Sequence, residues 1–223
     1  MSSAPDPGRV DAVCVVHEIR ASGTRRIPVT GIDKRAVESP VHVGRLGLDG
    51  DRQCDTEHHG GRFKAVYAYG DDEARRWAGD LGRDLPAGWF GENLRTSGIA
   101  TSDAVIGERW RVGDAGLLLE VSGPRTPCGT FGVWSGEPGW VKRFAARGDT
   151  GVYLKVIVEG PVQAGDRIVV EGVPEHGVTV RDLFTGRDPD RIAVMLEQQD
   201  DLSPSVVAKA RKRVAGREVR VEY

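Results

Sequence analysis

The sequence predicts a mainly β fold of the α+β type: a barrel-like sheet with peripheral helices and a small helical extension at its C-terminal end. Three observations carry this. Thirty glycines stand against 6% aromatics, and valine is abundant, a balance that favours many short strands joined by turns. Similar turns recur at the ends of apolar runs, Ile106-Gly107-Glu108, Val112-Gly113-Asp114 and Ala164-Gly165-Asp166, and we read them as barrel corners. After Gly172 the apolar positions change to helical spacing. With 223 residues the chain can bury one sizeable core.

The elements follow in order. Met1 to Arg9 is polar and Pro-rich, and is expected to form a disordered tail, with a barrel over 10–172 and a three-helix extension over 173–223. Val10–Val16 is an apolar run that reads as a buried strand with Cys14 as core filler. A second strand is expected around Ala36–Val43, followed by a turn-rich segment, Gly44–Asp51. Lys64–Tyr69 alternates so that Tyr67 and Tyr69 share a face, and an Asp71-capped helix then runs through Leu81 and stops at Gly82. Trp89–Thr96 reads as a loop. Asp103–Val112 and Gly116–Val121 read as strands joined at Gly113-Asp114 in a tight hairpin. Pro138 suits the first turn of a helix reaching Ala146. Gly151–Glu159 and Arg167–Glu171 return to strand, linked through Gly165-Asp166. Thr179 and Asp188 are candidate caps for helices over Val180–Thr185, Asp190–Gln198 and Ser203–Val214. The basic run Lys209, Arg211, Lys212 and Arg213 reads as a solvated face of the last helix, since no aromatics are interleaved with it.

Composition restricts the function. Thirty-one basic residues nearly cancel 33 acidic ones, so no global field selects nucleic acid or an anionic membrane, and neither is expected as a partner. Three cysteines without a CxxC pair imply neither a disulfide framework nor a zinc knuckle, and fit a reducing cytoplasm. The first residues lack a signal-peptide pattern, and no apolar run is long enough to span a bilayer.

Chemistry concentrates in three segments. Ser122-Gly123-Pro124-Arg125-Thr126-Pro127-Cys128-Gly129 follows an apolar run, which places a thiol on a turn stiffened by two prolines at a strand end. Arg125 sets a cation beside that thiol, and a neighbouring guanidinium favours the thiolate, the form that binds soft metals. The segment from Gly47 to Lys64 crowds acids, imidazoles and cations together. Adjacent His58 and His59 diverge in an extended chain, which disfavours a zinc site. An anion cradle fits better: Gly60-Gly61 expose backbone N–H groups, while Arg52, His59, Arg62 and Lys64 supply donors. A solvated loop with local ion pairs fits the same residues. In Gly91-Glu92-Asn93-Leu94, Asn93 offers both donors and an acceptor, as an amide-bearing heterocycle requires, and is equally an ordinary turn residue.

Taken together and in order, Gly50-Asp51-Arg52, His58-His59-Gly60-Gly61 with Lys64-Ala65-Val66-Tyr67, Phe90-Gly91-Glu92-Asn93-Leu94 and Pro124-Arg125-Thr126-Pro127-Cys128 resemble the motifs of MOSC domains. The resemblance covers about Val10 to Gly172, and the helices beyond it are similar to the extension of the bacterial YiiM-like branch. It implies a β-barrel that binds the pterin-based molybdenum cofactor (molybdopterin), with Cys128 as the protein's ligand to molybdenum. It also implies reduction of N-hydroxylated small molecules, hydroxylaminopurines and amidoximes among them. Arg52, His59, Lys64 and Arg125 then become candidate contacts to cofactor phosphate or pterin, with Asn93 and Thr126 as neutral hydrogen-bonding partners. Asp51 fits either an acid near the metal or a structural ion pair. Without an iron–sulfur cysteine cluster or flavin fingerprint, electrons are expected from a separate reductase. Two other readings stand beside this: a cofactor or persulfide carrier using Cys128, and a metal-free phosphate-binding module using Gly60-Gly61.

Overall fold

The computed structural model describes residues 7–25, 27–55 and 60–216. Strands β1 (Gly8–Ala21), β2 (Val29–Val37), β3 (Val41–Gly44), β4 (Gly47–Leu48) and β5 (Val66–Gly70) are followed by helix α1 (Asp71–Leu81). Then come β6 (Leu94–Ser97), β7 (Arg109–Val112), β8 (Leu117–Pro124), α2 (Gly129–Ser135), α3 (Trp140–Arg147), β9 (Val152–Val158), β10 (Gly160–Val162) and β11 (Arg167–Glu171). Helices α4 (Val180–Thr185), α5 (Pro189–Gln198) and α6 (Pro204–Val214) complete the described chain.

Seven strands close a barrel in the order β11-β7-β8-β9-β5-β6-β1, shut by pairing of Gly8 with Ile168 and of Arg9 with Arg167. Closure leaves those seven without a free edge. β2 pairs antiparallel along the outer length of β1, and β10, β3 and β4 form a small second sheet. The pairing of β5 with β6 is parallel, because α1 carries the chain back between them. Among the described residues no helix is long and apolar enough to cross a membrane.

Two apolar clusters result from the alternation of side chains along the strands. Val66 and Ala68 of β5 face the barrel interior with Val10, Leu94, Trp110, Leu119 and Leu154. Tyr67 and Tyr69, pointing the other way, join Phe90, Trp77, Phe131, Trp140 and Phe144 in an aromatic layer between the barrel wall and α1, α2 and α3. Each such ring contributes on the order of 2–3 kcal/mol by leaving water, so this layer fixes where α2 begins. The expected helices near the end of the chain form, α4 behind a reciprocal Thr179–Asp182 cap, α5 behind Asp188 and α6 behind Ser203.

Several expectations need correction. β1 extends at both ends past Val10–Val16, reaching Gly8 within the expected tail. The expected strand over Ala36–Val43 is two strands, β2 and β3, since Pro40 cannot donate to a ladder and breaks the run. Part of the expected loop Trp89–Thr96 is β6, whose Arg95 and Thr96 are buried polar residues that hide the strand pattern. Only Arg109–Val112 of the expected strand Asp103–Val112 is extended, and the connection to β8 is longer than a two-residue hairpin, with Val112 opposite Leu117. Pro138 precedes α3, which starts at Trp140 behind Gly139. Gly165-Asp166 does not join a strand pair: β9 lies between β8 and β5, whereas β11 lies between β7 and β1. The short helix α2 was unanticipated, as Gly129 and Gly132 are poor helix formers.

Candidate functional site

The end of β8 delivers the cysteine turn. Gly123 pairs with Tyr153 and Pro124 with Val152 of β9, after which the chain leaves the barrel wall and Cys128 takes the capping position before α2. The Cys128 carbonyl accepts from Gly132 N at 3.1 Å, which anchors the half-buried thiol to the first turn of that helix. Arg125 points inward and is only 6% exposed. Its guanidinium lies 4.3 Å from the Phe131 ring centroid and 5.1 Å from that of Tyr67, and donates to the Tyr153 hydroxyl. Burial by itself lowers the Arg125 pKa, but Tyr67, Tyr153 and Cys128 around it more than offset this, and the net shift is upward, so the group stays charged. Its Nη1 is buried with no hydrogen-bond partner among the described residues. An unsatisfied buried charged donor is costly in a closed protein and marks a position that a ligand acceptor can fill.

Across from this turn, Asp51 organises the opposite wall. Its Oδ1 accepts from Val16 N at 3.0 Å, and its Oδ2 accepts from Lys34 Nζ at 2.5 Å and Asn93 Nδ2 at 2.8 Å. Asn93 also donates to the Cys14 carbonyl at 3.3 Å and accepts from Tyr67 N at 3.1 Å. Both amide protons of Asn93 are therefore used inside the protein, tying β1, β5 and the Asp51 segment together. Of the two roles open to Asp51, the structure shows the ion pair, with Lys34 as the partner. Glu92, from the same motif as Asn93, is wholly buried and holds Gly88 N and the Arg95 guanidinium.

Between these walls lies a pocket of about 100 Å³ whose lining includes Cys128, Arg125, Arg52, Lys64, Asn93, Lys34, Cys54 and Tyr153. Gly31 forms part of the lining where the Arg52 carbonyl passes so close that an added Cβ would meet it at 2.6 Å. Arg52 is exposed and half-buried Lys64 stands 5.8 Å from the Tyr153 ring. Burial pushes the Lys64 pKa down, against an opposing pull from Asp55. Gln53 holds this rim, accepting from Gly61 N at 3.3 Å and donating to the Lys64 carbonyl at 3.2 Å. Burial also raises the thiol of Cys54, with Arg52 acting against it. The Tyr153 hydroxyl is pushed up to about 12, chiefly by burial, and stays protonated near neutral pH. Cys14, also raised to about 12 by burial, sits in the core behind Asn93.

The structure thus brings Arg52, Lys64, Asn93, Arg125 and Cys128 to one pocket. Thr126 is not among its lining residues: its hydroxyl faces Lys209 of α6 at 3.4 Å. His59 lies outside the described residues. Sequence reasoning missed Lys34, Cys54 and Tyr153 as lining residues. A lysine in the charged stretch Asp33-Lys34-Arg35 of an otherwise apolar strand was the one available signal for Lys34.

The family profile described as MOSC domain matches residues 55–169, just over half of the chain. The chain belongs to the MOSC domain family. The uncharacterized protein YflK of Bacillus subtilis (strain 168) is 35% identical over 152 residues, which cover 68% of each chain. A Gibberella moniliformis protein named Reductase is 30% identical over 172 residues, which are 74% of this chain and 29% of that much longer protein. The crystal structure of YiiM from Geobacillus stearothermophilus superposes with a TM-score of 0.75 at 25% identity, covering 93% of this chain and all of the other. Within the MOSC family the chain is therefore YiiM-like, both in its barrel and in the presence of the helices that follow.

Proposed function

We propose that this pocket binds the pterin-based molybdenum cofactor through Cys128, and that the protein reduces N-hydroxylated small molecules such as hydroxylaminopurines and amidoximes. The observation that carries the reading is Arg125: a buried, charged guanidinium, with one donor that has no partner among the described residues, on the same turn as a half-buried thiol. The residues present suit such a group. Cys128 offers a soft sulfur donor, while Arg125, Lys34, Lys64 and Arg52 offer cations to an anionic pterin and its phosphate. MOSC domains are associated with molybdenum cofactor binding, and the reductase name of the Gibberella relative agrees with redox chemistry.

When bound, the metal centre would supply the two-electron reduction of an N–O bond that no side chain here can perform. The protein's part is placement. Arg125 is held between Phe131 and Tyr67 and would give its Nη1 proton, which has no partner among the described residues, to an acceptor of the bound group. Tyr153 keeps its hydroxyl proton as a donor beside Arg125. Asn93 and Asp51 act from behind, fixing Lys34 and the backbone of Tyr67. Reduction of each N–OH group to N–H consumes two electrons and two protons and releases water, so a separate electron-donating protein is part of the proposal. We place the reaction in the reducing cytoplasm, in keeping with three free thiols. The partly covered Cys128 favours this reading over a carrier, which has to present its thiol to another protein.

The test is turnover of 6-hydroxylaminopurine with a chemical reductant, using protein from a host that makes the cofactor. Wild type should form adenine, and Cys128→Ser should lose at least about a hundredfold in rate, as loss of a metal ligand demands. Equal rates in the two proteins would refute the assignment of Cys128.

A further inference from the structure

The basic residues of α6 do not all face solvent. Lys209 turns inward, with Nζ 3.4 Å from the Thr126 hydroxyl and 5.0 Å from the Phe184 ring centroid. We propose that Lys209 is a positioning residue of the site, holding through Thr126 the turn that presents Cys128. The C-terminal helices are on this view a working part of the pocket.

Two further contacts place the helical extension against the pocket's edges. Immediately before the cysteine turn, Gly123 adopts φ 152°, and a Cβ there would come within 2.7 Å of Val206 Cγ2, so α6 seats directly on the end of β8. On the other rim, Asp201, which precedes α6, accepts from Arg62 at 2.7 Å and from Lys155 at 2.7 Å, and Lys155 is itself paired with Glu120 of the barrel at 2.8 Å. Arg62 begins the short 3-10 turn that carries Lys64 to the pocket. The extension therefore contacts both segments that supply cations and thiol, although they lie far from it in sequence.

Lys209 is a poor choice if stability were its only purpose. It is largely covered and has no carboxylate at ion-pair distance among the described residues, and its charged neighbours Arg213, Lys212 and Lys64 are all cations. Burial, with those cations adding to it, lowers its pKa to about 8. A methionine would fill the same channel without burying a charge. Methionine reproduces neither the hydrogen bond to Thr126 nor the cation–π contact with Phe184, and Thr126→Val removes the first alone.

This inference rests on Cys128 being the site's thiol and needs no metal. The experiment is iodoacetamide alkylation of full-length, metal-free protein, with Cys128 and Cys54 followed separately by peptide mass. Lys209→Met should alkylate at Cys128 at least about threefold faster, because a loosened turn exposes the thiol. Cys54, on the opposite wall, should keep its wild-type rate, the melting temperature should not fall, and Lys209→Arg should return Cys128 to the wild-type rate. Thr126→Val, nearly the same shape without the hydroxyl, should match Lys209→Met and serves if that variant does not fold. A wild-type rate at Cys128 in these variants, or equal acceleration at Cys54, would overturn the proposal. Failure of the cofactor reading looks different: protein without molybdenum in a competent host, with the alkylation response intact.

Discussion

At the scale of single residues the proposed site centres on Arg125 and Cys128, which line one pocket from one turn with different constraints. Arg125 is fixed by rings and a hydroxyl, and its buried Nη1 donor has no partner among the described residues. Replacing it by methionine, close in length and apolar, should change folding stability by no more than about 1–2 kcal/mol, because the lost stacking is offset by relief of a buried charge. A charge-assisted hydrogen bond is worth about 1.5–3 kcal/mol, so pterin retention after gel filtration should fall by about tenfold or more. Full retention of pterin would remove Arg125 from the binding set. The placement of Cys128 and Arg125 on one turn at a strand end was legible in the sequence, because prolines and glycines announce a stiff turn there. Lys34 and Tyr153 were not, since a strand residue reaches a pocket through the register of the sheet: Tyr153 is there because it pairs with Gly123, seen only once β8 and β9 are aligned.

At the scale of elements, the pocket's wall is set by how closely backbones approach. Gly88, at φ 91°, packs its Cα against β2 so tightly that a Cβ would sit 2.2 Å from the Lys34 carbonyl. Gly88→Ala combines a left-handed backbone with that clash, so β2 must shift and carry Lys34 away from Asp51. We expect a loss of at least about 2–3 kcal/mol in urea denaturation. A stability within about 0.5 kcal/mol of wild type would contradict this packing. Elements with one polar face and one apolar face were readable: β5 with its two tyrosines outward, α1 ending at left-handed Gly82, and α4 with its capping box. β6 and α2 were not, since β6 buries Arg95 and Thr96 in ion pairs and packing that only tertiary partners supply, and α2 is held by Phe131 in the aromatic layer despite weak propensity.

At the scale of the whole molecule, the helices after the barrel share its core. Leu183, Ile192, Met195, Val206 and Ala210 belong to the same apolar cluster as Val10 and Leu119, so extension and barrel are expected to melt together. His176, buried at the entry to α4, accepts from Val178 N at 3.0 Å through Nδ1, which requires the neutral ring. Its pKa is lowered, first by burial. Between the folded value and about 6.5 the unfolded chain binds the proton and the native one does not, so His176 makes stability fall as pH drops through that window. The wild-type melting temperature should decline more between pH 7.5 and 5.5 than that of His176→Gln, and parallel declines would show that this histidine is not responsible. Composition points to a β-rich fold, and the recurring turns, the helical spacing after Gly172 and the family resemblance to a barrel with a helical extension, but the shared core and the inward Lys209 depend on contacts between distant segments that no local pattern records. The central claim is that Cys128 and its pocket hold a molybdenum cofactor, and the most direct measurement is molybdenum and released pterin in wild type and Cys128→Ser, both purified from a host that makes the cofactor. We predict near-stoichiometric molybdenum with pterin in wild type and its loss in Cys128→Ser. Well-folded wild type with neither, or equal molybdenum in both proteins, would contradict the account.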